Sequence, residues 1–286
     1  MNLYTINSGY FKLDGGAMFG VVPKSIWHNL NPADENNMCS WALRCLLIQD
    51  GSRLILVDTG MGDKQDAKFF GHYYLHGSDS IDSSLNKYGF SRNDITDVFL
   101  THLHFDHCGG CIVREGDRLV PAFPNAVYWS NADHWQWAVE PNAREKASFL
   151  KENILPIQES GRLKFVDVPA SPQNGLATAA FSEYMTIRFT NGHTDKMMLP
   201  QIRYKGRTVV YMADLLPSVA HLPIPYIMAY DMFPLTSLNE KKSFLQEAVE
   251  NDYVLYFEHD PRYECCTLQM TEKGIRAKDL FRLEEL

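Results

Sequence analysis

Three histidines and one aspartate stand within six positions of this chain, His102, His104, Asp106 and His107, in the run Thr-His-Leu-His-Phe-Asp-His-Cys-Gly-Gly at 101–110. Imidazole nitrogen and carboxylate oxygen are good ligands for zinc and similar divalent ions, and a loop can turn several of them inward together. His102 and His104, two apart, can reach one ion, while Asp106 and His107 can point to a second beside it. Asp106 can also lie near a substrate without losing its metal bond. Scattered structural histidines are not expected at this density. Two ions need more ligands than one loop supplies, so the ends of other strands matter. His193 lies in Asn-Gly-His-Thr-Asp, Asp214 closes Thr-Val-Val-Tyr-Met-Ala-Asp, and His259 follows Tyr-Val-Leu-Tyr-Phe-Glu. Taken singly, Asp214 also reads as a helix cap and His259 as a turn residue before Pro261. Taken together they complete two coordination shells, and the two oxygens of Asp214 can bridge.

The elements that must position these residues are visible as apolar runs. Residues 95–101 read as a buried strand that delivers the His102 loop to a sheet edge, and Gly109-Gly110 lets the chain turn away. Residues 185–190 alternate as a strand before His193, and 208–214 and 253–259 are further strands. Each candidate ligand therefore falls at the carboxyl end of a strand, where α/β sheets place their sites. Residues 41–48 and 53–57 flank Gln-Asp-Gly-Ser, a hairpin signal. Ser130-Asn-Ala-Asp133 is a cap for a helix through Trp135 and Trp137, residues 238–249 have helical spacing, and the tail from Thr271 is a last strand or helix.

The motif His102-Leu-His-Phe-Asp-His107, followed in order by His193, Asp214 and His259, resembles the metallo-β-lactamase superfamily of hydrolases. Val57-Asp58-Thr59-Gly60 is similar to that superfamily's early strand and turn, whose Asp supports the metal loop from behind the ligands. The resemblance covers roughly 40–260. It implies an αββα sandwich of two mixed sheets with helices outside, an α/β (α+β) fold. It assigns His102, His104 and His193 to one ion and Asp106, His107 and His259 to another, with Asp214 bridging. Within the superfamily, the Asp58-Thr-Gly-Met61 turn and the seven ligands are most similar to N-acyl-homoserine lactone lactonases. The segment at 15–27 is similar to a branch of quorum-quenching lactonase-like proteins and methyl parathion hydrolases. Those lactonases carry a substrate-contacting Tyr three positions after the bridging Asp, where this chain has Pro217. His221 is the first candidate for a substitute donor and Tyr226 the second, with no substitute at all as the remaining alternative.

Composition suits one enzyme domain over 1–286: 45% hydrophobic residues supply a core, and 22% charged residues a solvated surface. A net charge of −8 and a pI near 5.7 disfavour a nucleic-acid or anionic-membrane surface. No basic segment leads into an apolar run at the amino terminus, and no stretch of about 18 apolar residues occurs. The six cysteines form no disulfide framework, and Cys108-Gly-Gly-Cys111 lacks a second pair, so reduced, buried thiols in a cytoplasmic protein are expected.

A metal pair polarises a carbonyl or phosphoryl oxygen and makes a shared water a nucleophile near neutral pH, so hydrolysis is the expected reaction. Asp106 is the candidate for carrying a proton to the leaving oxygen. The cofactors are two divalent ions, zinc first, with manganese, iron or cobalt as alternatives. Candidate substrate contacts are Phe105, Met18, Phe19, Trp27 and Tyr226, with the aromatic segments at 69–74 and 128–137 as further pocket walls. The expected activity is opening of N-acyl-homoserine lactones by attack of hydroxide held between the ions. A phosphotriesterase or aryl esterase on the same site is the first alternative, and a metal-dependent sensor or scaffold the second. The expected partner is a small lactone or ester, and a homodimer is the assembly considered.

Overall fold

In a computed structural model, which describes residues 1–170 and 177–286, the chain divides into two compact units. Met1–Gly9 with Leu43–Val168 form the first, and Tyr10–Ala42 with Pro169–Leu286 the second.

One mixed sheet has its strands in the order Asn2–Asp14, Met38–Asp50, Arg53–Val57, Asp97–Phe99, Val127–Ser130, Leu163–Phe165, and all of it except residues 10–14 and 38–42 belongs to the first unit. Met38–Asp50 and Arg53–Val57 pair antiparallel with Asp50 opposite Arg53, leaving the two-residue turn Gly51-Ser52. Gly51 takes φ +60°, a left-handed conformation that costs glycine little. From Arg53–Val57 outward the strands are parallel. Parallel strands are covered on both faces, which is why Leu54–Val57 and Val98-Phe99 are unbroken apolar runs rather than alternating ones. Around them Leu56, Val98, Leu103, Ile112, Tyr128 and Trp135 belong to one buried core. The helix Ala132–Val139 is capped by Asn131, whose side chain accepts from the His134 amide.

In the second unit seven strands run in the order Gly274–Phe281, Cys265–Thr271, Val254–Tyr256, Arg207–Tyr211, Met197–Tyr204, Met185–Thr190, Thr178–Ala180. All neighbouring pairs are antiparallel except Arg207–Tyr211 with Val254–Tyr256. A parallel pair needs a crossover, and the 17-residue helix Pro234–Glu250 supplies it. That helix buries Ser237, Glu240, Lys241, Phe244, Leu245 and Ala248, one stripe at helical spacing. The helix expected at 238–249 is thus four residues longer at its start, because Pro234 at its first turn loses no hydrogen bond there. The tail settles as the edge strand Gly274–Phe281.

Candidate metal centre

In the first unit, two parallel strands end side by side and deliver the candidate ligands. Asp58 follows Arg53–Val57, and the His102 loop follows Asp97–Phe99. Asp58 holds φ +56°, a left-handed conformation that Asp tolerates better than most residues. Fully buried, it accepts from the Thr101 amide (2.8 Å), the Thr101 hydroxyl (2.7 Å) and His107 Nδ1 (3.1 Å). One carboxylate thereby fixes both ends of the loop. The Asp58-Thr-Gly-Met61 turn packs directly on Gly109-Gly110, where an added Cβ would stand 2.1 Å from the Met61 and Thr59 carbonyl oxygens. Only glycine permits that approach.

Hydrogen bonding then assigns the ring tautomers. Thr101 Oγ1 donates to Asp58, so at 3.0 Å it accepts from His102 Nδ1–H and leaves a lone pair on His102 Nε2. His104 Nε2 lies 2.9 Å from Glu145 Oε1; the carboxylate accepts that proton and leaves a lone pair on His104 Nδ1. These two lone-pair nitrogens stand 3.1 Å apart. Facing lone pairs repel unless a cation lies between them. Two ligands at about 2.0–2.1 Å on a tetrahedral ion stand roughly 3.4 Å apart, close to this spacing. His107, locked through Nδ1, presents Nε2 at 3.8 Å from Asp106 Oδ2.

The second unit repeats the pattern. His193 Nδ1 is held by Asp231 Oδ1 at 2.9 Å, and its Nε2 lies 3.1 Å from Asp214 Oδ2. His259 Nδ1 lies 2.8 Å from the Ala42 carbonyl, which can only accept, so His259 Nε2 carries a lone pair 3.2 Å from Asp214 Oδ1. Asp214 sits in the turn Ala213–Leu215 beyond its strand and offers one oxygen to each histidine. Burial opposes a charge on His193, but Asp214 and Asp231 outweigh it and push its pKa up to about 10. In the metal-free chain a proton takes the cation's place. The His193 loop is held by Glu240, which accepts from the Asn191 (2.8 Å) and Gly192 (3.0 Å) amides.

Each unit therefore presents a buried set of imidazole and carboxylate donors whose facing atoms fit a divalent cation. Glu145 and Asp231, which hold His104 and His193, carry no signal in the sequence. Glu145 lies in a polar stretch that reads as solvated surface, yet it is 1% exposed and also accepts from Trp137 Nε1 (2.6 Å). His134 is a third such residue, accepting from the Leu103 amide at 2.9 Å. Removing one outer partner typically costs about 10 to 100-fold in metal affinity or activity. Asp58→Ala is accordingly expected to lose metal on dialysis about that much more readily than wild type, measured by metal content against chelator concentration; equal retention would reduce Asp58 to a turn residue.

The proposed substrate contacts fall into different surroundings. Phe105, 7% exposed, meets the rings of Phe69 at 5.4 Å and Tyr73 at 4.7 Å, so the aromatic segment at 69–74 does come to the metal loop. Met18, Phe19 and Trp27 are instead interior to the second unit. Phe19 stacks on Trp27 at 5.3 Å and on His221 at 4.5 Å. Tyr226 meets Phe19 edge-on at 6.4 Å and is half-buried. His221 has both ring nitrogens engaged, Nε2 donating to the Met18 carbonyl (2.9 Å) and Nδ1 accepting from Ser218 Oγ (2.8 Å). The substitute donor expected at His221 thus finds no ring nitrogen to offer a substrate. Ser218 and the 15–19 segment capture the imidazole.

Burial drives the His221 pKa down to about 3, so the folded chain keeps it neutral. Below about pH 6.5 the unfolded chain takes up a proton that the folded chain refuses, and stability falls as pH drops from there toward 3. His221→Ala is expected to cost roughly 2–4 kcal/mol near neutrality through the lost stack and hydrogen bonds. In thermal melts the gap between wild type and variant should narrow as pH falls from 7 to 4. A constant gap would contradict a neutral, buried imidazole.

A family model described as metallo-beta-lactamase superfamily matches residues 44–259. An N-acyl homoserine lactonase of Bacillus cereus is 27% identical over 162 residues, covering 53% of this chain and 57% of that protein, so the match spans little more than half of this relative. A crystal structure of a probable metal-dependent hydrolase from Staphylococcus aureus superposes with a TM-score of 0.87 at 27% identity, covering 100% of this chain and 98% of that one. AidC, a dizinc quorum-quenching lactonase in complex with a product, is similar in fold, with a TM-score of 0.75 at 23% identity over 98% of this chain and 95% of its own. With its two mixed sheets, flanking helices and buried donor sets, the chain belongs to the metallo-β-lactamase superfamily.

Proposed function

We propose that this protein is a binuclear metal-dependent hydrolase that opens the lactone ring of N-acyl-homoserine lactones, with 1–286 acting as one catalytic domain. In this reading His102, His104 and His193 hold one divalent cation, Asp106, His107 and His259 hold the other, and Asp214 is shared. The observation that carries it is the pair of contacts at Asp214, whose two oxygens lie 3.1 and 3.2 Å from the Nε2 atoms of His193 and His259. A carboxylate caught between two imidazoles in this way suits a bridge. Imidazole and carboxylate donors favour zinc, with manganese, iron or cobalt able to substitute. Bound there, the cations supply a Lewis acid for the scissile carbonyl and acidify water to a nucleophile.

The chain's own residues do the remaining work. Glu145, Asp58 and Asp231 keep His104, His107 and His193 in the tautomers that present a lone pair. Asp106, which keeps 8% of its surface exposed, would carry a proton to the leaving oxygen. Phe105 with Phe69 and Tyr73 offers an apolar surface for the acyl chain. All six cysteines are buried free thiols, which supports the reducing cytoplasm as the compartment. No described helix is long and apolar enough to cross a membrane.

The test is turnover by the zinc-loaded chain of N-acyl-homoserine lactones of short, medium and long acyl chain, beside a paraoxon-like triester and an aryl ester. Lactones with the highest kcat/KM are expected. A triester or aryl ester turned over while no lactone is would reassign the substrate and keep the site; no hydrolysis of any would overturn the reading.

A further inference from the structure

The second unit contains a cavity of about 530 Å³ that none of the candidate metal ligands lines. Its volume lies within the range of about 300–1,000 Å³ common to small-molecule sites. Its wall has two chemistries. Ile26, Leu30, Leu222 and Leu280 make an apolar side, and Ile26 and Leu280 keep 48% and 42% of their surface exposed. Arg262 and Arg276 are the cations, facing one carboxylate, Asp260.

Asp260 forms no ion pair with either. It is 4% exposed, and its oxygens are taken by the backbone amides of Val219 (2.9 Å), Arg262 (2.8 Å) and Tyr263 (2.8 Å). Arg262 spends one Nη2 hydrogen on the Leu30 carbonyl, and Arg276 one Nη1 hydrogen on the Ile275 carbonyl. A guanidinium has five N–H donors, so both keep donors for a ligand. Neither arginine is in an ion pair among the described residues. Two guanidinium groups without an ion-pair partner against a single carboxylate, beside exposed aliphatic side chains, leave this wall net positive in a chain of net charge −8. A second copy of the chain is a poor occupant. The adjoining edge strand Gly274–Phe281 carries Arg276 and Lys278 and is followed by Arg282, and charges along an edge oppose strand-to-strand pairing.

We propose that this cavity is a second ligand site, which takes a single-chain amphiphilic anion. Its carboxylate would meet Arg262 and Arg276, and its alkyl chain would lie along Ile26, Leu30 and Leu222. The site goes beyond the lactone reading and does not depend on it. Its occupant would also bear on Asp260, which follows His259 directly and ties down Val219 in the segment leaving Asp214.

The test is calorimetric titration of the metal-loaded chain with decanoate, kept below its micellar concentration, against decyltrimethylammonium as the cation of equal chain length. One saturable decanoate per chain is expected, with the cation bound at least about tenfold more weakly. Arg262→Gln and Arg276→Gln should each weaken decanoate by about tenfold, loss of one charge-assisted contact, while melting as folded proteins. Hydrogen exchange on the wild-type chain gives a reading that needs no variant: decanoate should protect amides at 219–222 and 274–280. No decanoate binding, equal binding of both amphiphiles, or affinity unchanged in both variants would overturn the proposal. So would binding that disappears with the metals and protects only 101–108, since that places the anion on the metal ligands.

Discussion

Asp214→Asn is expected to lower kcat/KM for the best substrate by roughly 1,000-fold or more, beyond the 10 to 100-fold typical of outer partners, with the fold retained. The substitution keeps the size of a side chain that is 8% exposed, so packing is not the cause. It replaces one of two oxygens, 3.1 Å from His193 Nε2 and 3.2 Å from His259 Nε2, by an amide NH2 that cannot donate a lone pair. It also removes the negative charge placed to offset two dications. Circular dichroism should match wild type while metal content falls. Activity within tenfold of wild type would show that Asp214 does not bridge.

The second large effect follows from metal removal. Stripping the chain with a chelator is expected to abolish hydrolysis, and added zinc should restore it. Stability should fall as well. Asp58, Asp106, Asp214 and Asp231 are buried close to the donor imidazoles, and bound dications would offset charge that burial makes costly. A cation bound at a thousand times its Kd stabilises by about 4 kcal/mol, which for a chain of this size moves Tm by about 10 °C. Full activity in a chain shown to be free of metal would contradict the account, and an unchanged Tm would mean that the donors are not where the cations sit.

The candidate ligand loop was legible because its information is local. Four candidate ligands within six residues, an apolar strand before them and two glycines after them need no knowledge of the rest of the fold. Asp58 was legible through the strand and turn motif around it. His193, Asp214 and His259 were recognisable as strand-end residues, and the structure places them after Met185–Thr190, Arg207–Tyr211 and Val254–Tyr256. The residues that aim the ligands were hidden, because their partners are remote in sequence. Glu145 is 41 positions from His104, and Asp231 is 38 from His193. Aromatic spacing likewise could not separate wall from interior. Phe69 and Tyr73 reach Phe105, whereas Phe19 and Trp27 close a stack with His221, whose partner, the Met18 carbonyl in the short helix Gly15–Phe19, is 203 positions away.

The central claim, one shared carboxylate between two cation sites, is tested most directly by counting ions. Elemental analysis of the chain purified without chelator is predicted to give about two divalent ions per chain, mostly zinc. His259→Ala is predicted to keep about one, because His102, His104 and His193 are left untouched. A wild-type chain that saturates at one ion, with His259→Ala binding that ion equally well, would contradict the binuclear site.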